Sequence, residues 1–309
     1  MTNHFELLKS KVDNNDVSLF DAYNLVITPV SAYYISDFYL GVEPKNLNLP
    51  KSKSKHLKEN LNLLKDNDII FIENNSFKLF VEDFLPNIKT KFVLLTSQTN
   101  RPRLTNKILI DTVLNNNFLI VWFSHNPIKI TPKYKMFPYG INNGIVCSVL
   151  KDRTIAPILY INELKKNVQK TDNIISLPMR ATHSCRNYFP HVIPVDGIRH
   201  NNKVIMTIPD YYKNLHKAKF VLSPIGDRED CYRHWEAIGL GCVPISNVNK
   251  NLFEETLTTN MLYKNCTEML KNYKNNDTLD YNEPNKDLIC LSYWINEINK
   301  YIKNSDHEE

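Results

Sequence analysis

Glycine is scarce in this chain, with seven among 309 residues. Those in motif-like places (Gly140, Gly226, Gly239, Gly241) are therefore read as answering a backbone need. Paired metal ligands are also missing. The six cysteines (147, 185, 231, 242, 266, 290) are scattered, and no Cys-x-x-Cys or His-x-x-x-His spacing occurs, which argues against a four-ligand zinc site. Cys147 and Cys242 lie in apolar runs, where free thiols behave as small hydrophobes, and the reading is a reducing compartment. Neither a Gly-x-x-x-x-Gly-Lys-[Ser/Thr] loop nor a Gly-x-Ser-x-Gly elbow is present, against P-loop and hydrolase chemistry. No stretch reaches the roughly 18 apolar residues that span a bilayer, and the opening MTNHFELLKSKVDNNDV lacks a signal-peptide core. A soluble, cytoplasmic-type protein without a membrane span is expected.

What is present is ordinary for a folded globular protein: 42% apolar, 23% charged and 11% aromatic residues. The length allows one large domain or two. A net charge of +5, from 38 basic and 33 acidic residues, suits a phosphate-bearing ligand but falls short of a nucleic-acid-binding signature. The basic run Lys51 to Lys58 reads as a solvated loop leading into a helix, so no nucleic-acid partner is expected.

Short apolar runs alternate with longer mixed segments, as in strands buried on both faces by crossover helices, so the class is α/β. Strands are predicted at 25–28, 68–73, 91–96, 118–123, 134–138, 155–161, 173–177, 191–194, 219–223 and 242–246. Helices are predicted at 77–85, 105–114, 184–189, 211–218, 230–240, 267–273 and 287–302. The region 142–153 divides the chain almost evenly. Two Rossmann-like domains facing a cleft are expected, 1–148 on the acceptor side and 149–309 on the sugar-donor side, with ligands at the carboxyl ends of strands.

The most informative stretch is Ala218 to Ile245, AKFVLSPIGDREDCYRHWEAIGLGCVPI, read as strand, turn, helix and strand. Asp230 is placed as the helix N-cap. Free N–H groups and the helix dipole at that end favour a diphosphate, and Gly226 lets backbone approach an anion. Arg233 and Glu236, three apart, share a helix face: Arg233 can bond a phosphate, and Glu236 offers two oxygens to the hydroxyls of a ribose. The alternative is an ion pair on a solvated surface.

Phe220, Leu222, Pro224, Gly226, Asp230, Arg233, Glu236, Ala237, Gly241, Cys242, Pro244 and Ile245 match a pattern F-x-L-x-P-x-G, D-x-x-R-x-x-E-A, G-C-x-P-I. On these residues the chain resembles exostosin-like and related viral or bacterial GT-B glycosyltransferases. Arg228 stands where many relatives carry a second glycine, and can itself reach phosphates. Thr182-His-Ser-Cys-Arg186 is similar to a T-x-x-x-R element whose arginine faces the diphosphate. Trp122-Phe-Ser-His-Asn126 and the stretch from Pro132 through Gly140 to Asn142 resemble segments of the acceptor side.

The resemblance implies transfer of a sugar from a nucleoside diphosphate sugar (UDP or GDP type) to a glycan, protein or other hydroxyl acceptor. It implies inversion, no tightly bound cofactor and no required metal, with charge offset by Arg186 and Arg233. A catalytically inactive nucleotide-sugar-binding module is the alternative. An inverting transfer needs a general base, for which Asp37 and Glu73 are the candidate carboxylates. Asp66-Asn-Asp68, though it matches a D-x-D metal motif, precedes a strand and reads as a turn.

Overall fold

The computed structural model describes residues 3–13, 18–41, 53–97, 104–125, 127–142, 156–180, 182–190, 192–193, 206–226, 228–257 and 259–305. The chain forms two compact units, one of residues 29–138 with 292–309, the other of residues 1–28 with 139–291. The division expected at 148 is therefore corrected. The opening 28 residues and the stretch 139–148 join the later half, and the final stretch returns to the earlier one.

The unit built on residues 29–138 holds a parallel six-stranded sheet. Its strands are β1 (Phe38–Leu40), β2 (Lys55–His56), β3 (Asp68–Glu73), β4 (Phe92–Ser97), β5 (Leu119–Ser124) and β6 (Tyr134–Met136), in the order β2-β1-β3-β4-β5-β6. The three central strands are six residues long, and all of β4 is buried, as the interior of a parallel sheet requires. Trp122, fully buried, stacks on Phe77 with ring centroids 5.2 Å apart and packs on Tyr134 at 4.1 Å. Its indole N–H donates to Thr96 Oγ1 at 2.9 Å, and Thr96 donates to Ser124 Oγ at 2.8 Å, so the buried indole N–H and the Thr96 hydroxyl both find acceptors. The predicted helix at 77–85 is a composite: α over Phe77–Leu79, π over Phe80–Phe84 and 3-10 over Leu85–Asn87. The amphipathic C-terminal stretch forms the helix Leu291–Ser305, whose Trp294 and Tyr301 meet Phe137 and Phe123 edge-on. Asp66 and Asp68 do form a turn: Asp66 accepts the Lys91 N–H, Asp68 accepts the Lys65 N–H, and Asn67 between them has φ +73°.

The other unit holds a parallel four-stranded sheet of β7 (Asp172–Ile175), β10 (Ala218–Leu222), β11 (Val243–Ser246) and β12 (Leu262–Tyr263), ordered β12-β11-β10-β7. A parallel pair, β8 (Met179–Arg180) and β9 (Val192–Ile193), accompanies it. In register, Phe220 faces Val243 and Leu222 faces Ile245. These four residues join Ile174, Met179, Cys185, Phe189 and Met269 in one buried cluster.

Two predicted strands do not form. Leu25 to Thr28 follows the helix Leu19–Leu25, which Ser18 and Asp21 close with a capping box, and Val26 makes only an isolated bridge to Cys290. Of the run at 155–161, the described residues 156–161 lie in the helix Ala156–Leu164, where Pro157 occupies the first turn and no N–H is missed. Among the described residues no helix is long and apolar enough to cross a membrane.

Cys242 is a free thiol as expected and Cys147 lies outside the described residues, but one other pair is bonded. Cys185, in the 3-10 turn Ser184–Tyr188, is disulfide-bonded to Cys266, the first residue of the helix Cys266–Asn275, across 81 positions. Cys231, Cys242 and Cys290 are free. Closing so long a loop removes denatured-chain entropy. Replacing both cysteines by alanine should cost about 2 kcal/mol, the low end of the usual range because Cys185 sits in the apolar cluster and Cys266 packs against it, which holds them when reduced. A thermal melt should show a drop of roughly 4–8 °C. An unchanged midpoint, or free thiols at both positions by mass spectrometry of the native protein, counts against this.

Candidate functional site

The stretch after β10 has the predicted order. β10 ends at Leu222, a turn follows, the helix Tyr232–Gly239 runs back, and β11 returns beside β10. The turn is tied down at intervals. Ser223 N–H donates to Ile245 O at 2.9 Å, Ile225 N–H to Asn247 Oδ1 at 3.0 Å, and Gly226 N–H to Arg228 O at 3.0 Å.

Onto this turn folds the 3-10 segment Ser184–Tyr188, capped by His183, whose Nδ1 accepts the Cys185 N–H. Arg186 donates from Nε to Ile225 O and from Nη2 to Pro224 O, both at 2.9 Å. A Cβ at Gly226 would stand 2.9 Å from Arg186 Nη2 and 3.2 Å from Thr182 Oγ1, so a side chain there would have to push the Arg186 guanidinium aside. Thr182, Arg186 and Gly226, expected to act together, are brought together at the carboxyl end of β10. Arg228 is buried, with its guanidinium carbon 5.6 Å from the Tyr139 ring centroid.

Arg233 and Glu236 do share a face, but it is turned toward the helix Ile208–Lys217. Arg233 donates to Pro178 O at 2.6 Å, to Leu222 O at 3.4 Å and to Tyr211 Oη at 3.3 Å. Glu236, 3% exposed, accepts from Tyr211 at 2.9 Å, from Tyr212 at 3.3 Å and from the Asn142 N–H at 3.2 Å. Tyr211 thus donates to the glutamate while accepting from the arginine. Burial pushes the Glu236 carboxyl upward, against the downward pull of those hydrogen bonds and of Arg233. The solvated ion pair considered from spacing is not what forms, and both oxygens expected on a ribose are engaged within the protein.

Asp230 is not the N-cap. Cys231 holds that position without a side-chain cap bond, while Asp230, 2% exposed, accepts from Trp235 Nε1 and from the Tyr139 N–H, each at 2.6 Å. The carboxylate is spent on seating the helix and the 139–142 segment. That segment was expected on the acceptor side, yet Gly140 and Asn142 belong to the same compact unit as the turn. Gly140, at φ +74°, lies against the Ile27 carbonyl where a side chain would collide, and Ile141 N–H donates to Ile27 O at 2.9 Å.

Of the two candidate bases, Asp37 precedes β1 and accepts the Ile69 N–H at 2.9 Å. It therefore stands at the amino end of the sheet, opposite to the end where such sheets bind ligands. Glu73 closes β3 at the carboxyl end, partly exposed, and accepts from Asn75 Nδ2 at 2.7 Å. Asn126 lies outside the described residues.

Sequence reasoning missed the tyrosines. Tyr211 and Tyr212 open the amphipathic helix before β10, and two adjacent buried phenols are the signal that a buried acceptor lies opposite. It also missed the contact of Cys231 with His234, whose Sγ and Nε2 are 3.5 Å apart.

Residues 198–279 match the family model described as the RXYLT1 C-terminal domain, that of a xylosyltransferase family. The comparison with curated proteins gives no match. The matched stretch contains the helix Ile208–Lys217, β10, the turn, the helix Tyr232–Gly239, β11, β12 and the helix Cys266–Asn275. The similarity is thus to a glycosyltransferase-related family, and it covers the elements that shape the turn.

Proposed function

We propose that this chain is a glycosyltransferase that moves a sugar from a nucleoside diphosphate sugar to a hydroxyl acceptor, with the donor diphosphate on the turn 223–231. The observation that carries the reading is the convergence of Arg186 and Thr182 on Gly226, at a turn inside the stretch similar to glycosyltransferases. Charge develops on the leaving diphosphate as the glycosidic bond breaks. A fixed guanidinium and the N–H groups heading the helix Tyr232–Gly239 offset that charge without reorganising. On this reading Arg186 and Arg228 face the diphosphate, so no metal is required to neutralise it. Arg233, Tyr211 and Glu236 form the frame beneath, and Asp230 fixes the helix to residues 139–142. An inverting attack needs a group that removes the acceptor's hydroxyl proton, and of the two candidate carboxylates Glu73, at the carboxyl end of β3, is the better suited.

The test is a calorimetric titration with UDP, GDP and their sugars, UDP-xylose first because of the name of the matched family, followed by a transfer assay with mixed glycan acceptors. Saturable binding of one nucleotide with turnover supports the reading. Binding without hydrolysis or transfer would leave a non-catalytic nucleotide-sugar-binding module, and no binding of any nucleotide removes the proposal.

A further inference from the structure

Between the turn and the sheet lies a group of side chains for which sugar transfer has no use. Cys231 caps the helix Tyr232–Gly239 and is partly exposed, whereas Cys242 and Cys290, the other free thiols among the described residues, are buried. Its Sγ stands 3.5 Å from His234 Nε2 and 3.9 Å from Ser223 Oγ. His234, fully buried, has Nε2 3.0 Å from the Ser223 carbonyl and 3.2 Å from Ser246 Oγ, and its Nδ1 faces Asp230 Oδ1 at 3.7 Å.

A carbonyl only accepts, so the Nε2 hydrogen is fixed in place. The second proton, on Nδ1, is favoured by the Asp230 carboxylate. His234 is therefore held as a cation beside the sulfur rather than as a base that takes a proton from it at Nε2. From the other side, Arg186 on the 3-10 segment and Arg233 on the same helix add positive charge.

We propose that Cys231 is a thiol-modification site that takes small disulfides, made nucleophilic by the buried His234 and by the helix end it caps. In the step, the Cys231 thiolate attacks one sulfur of the small disulfide. That S–S bond breaks, a mixed disulfide forms on Cys231, and the departing thiolate takes a proton from solvent. One cysteine sulfur is oxidised and one sulfur of the reagent reduced, so no further oxidant is needed. The adduct occupies the head of the helix, where the proposed diphosphate would lie. That consequence rests on the sugar-donor reading, whereas the reactivity of the thiol does not.

Burial alone would raise the thiol. The His234 cation, then Arg186 and Arg233, outweigh it and bring it down to about 7. At pH 6 such a thiol is about 9% thiolate, against about 0.3% for one of ordinary pKa near 8.5. Its lower basicity slows attack about five-fold, so a net advantage of about six-fold is expected at pH 6, and the pH midpoint is the cleaner readout.

The experiment is peptide-resolved labelling of the full chain with iodoacetamide and with glutathione disulfide from pH 5 to 10, with and without UDP or GDP. The expected result is labelling at Cys231 with a midpoint near 7 that moves above 8 in His234→Gln. If that variant fails to fold, the wild-type midpoint and the loss of label in Cys231→Ser decide. A midpoint at 8.5 or higher, or label confined to other cysteines, overturns the site. Labelling at Cys231 with the midpoint near 7 but no slowing by either nucleotide keeps the modification site and counts against the diphosphate position instead.

Discussion

Asp230→Ala is expected to lower the stability of the unit carrying the turn by about 4 kcal/mol, within the range for removing one partner of a buried charged cluster. The carboxylate is 2% exposed, and both its oxygens accept hydrogen bonds of 2.6 Å, from the Trp235 indole and from the Tyr139 backbone. Alanine takes from both donors their carboxylate acceptor, at about 1–3 kcal/mol each, and removes the anion facing His234. Asp230→Asn retains one acceptor but turns an NH2 toward the other donor, and should cost about half as much. Urea unfolding followed by tryptophan fluorescence reads this directly, because Trp235 is the indole concerned. A loss below about 1 kcal/mol for alanine would show that water or a shifted backbone replaces the carboxylate.

The second large effect is on ligand affinity. Arg186→Ala should weaken nucleotide binding by about 100-fold, equivalent to about 2.7 kcal/mol, because it removes both a charge-assisted contact and the fork that spans the Pro224 and Ile225 carbonyls. Arg186→Lys should recover little, since an ammonium cannot bond both carbonyls in that planar geometry. Calorimetry with the nucleotide that binds the wild type gives the affinity, and a melt of each variant separates loss of the site from loss of the fold. An affinity within five-fold of wild type in Arg186→Ala, with the melt unchanged, places the diphosphate elsewhere.

Much of the scaffold was legible because its strands are bounded apolar runs. β3 has its predicted limits, and the strand, turn, helix and strand from 218 to 246 are in place. The failures share one cause: an apolar run of four to seven residues has no period. At 25–28 the run only trails the helix Leu19–Leu25, which the capping box of Ser18 and Asp21 starts, and at 155–161 the run falls in a helix with a proline in its first turn. Reading a strand at 25–28 carried a further error, because it put Asp37 after a strand when it precedes β1. In the site, the spacing of Arg233 and Glu236 correctly put them on one face. What that face meets is set by Tyr211 and Tyr212 more than twenty residues earlier, a tertiary fact that helical spacing does not encode. The convergence of Thr182 and Arg186 on Gly226 was anticipated from the resemblance alone, for nothing in their own spacing links residues about forty apart.

The order in which the two units draw on the chain has a consequence for synthesis. Residues 1–28 leave the ribosome well ahead of the rest of their unit, which begins only after the 110 residues from Pro29 to Pro138. At about 5–20 residues per second the leading segment waits roughly 5–20 s for its first partners. The intervening unit in turn waits for residues 292–309, which supply Trp294 and Tyr301 to its aromatic core. Each unit brackets part of the other along the chain, so a nascent chain stalled before residue 292 carries no completed core for residues 29–138, and expression of either half cut at 148 should yield insoluble product.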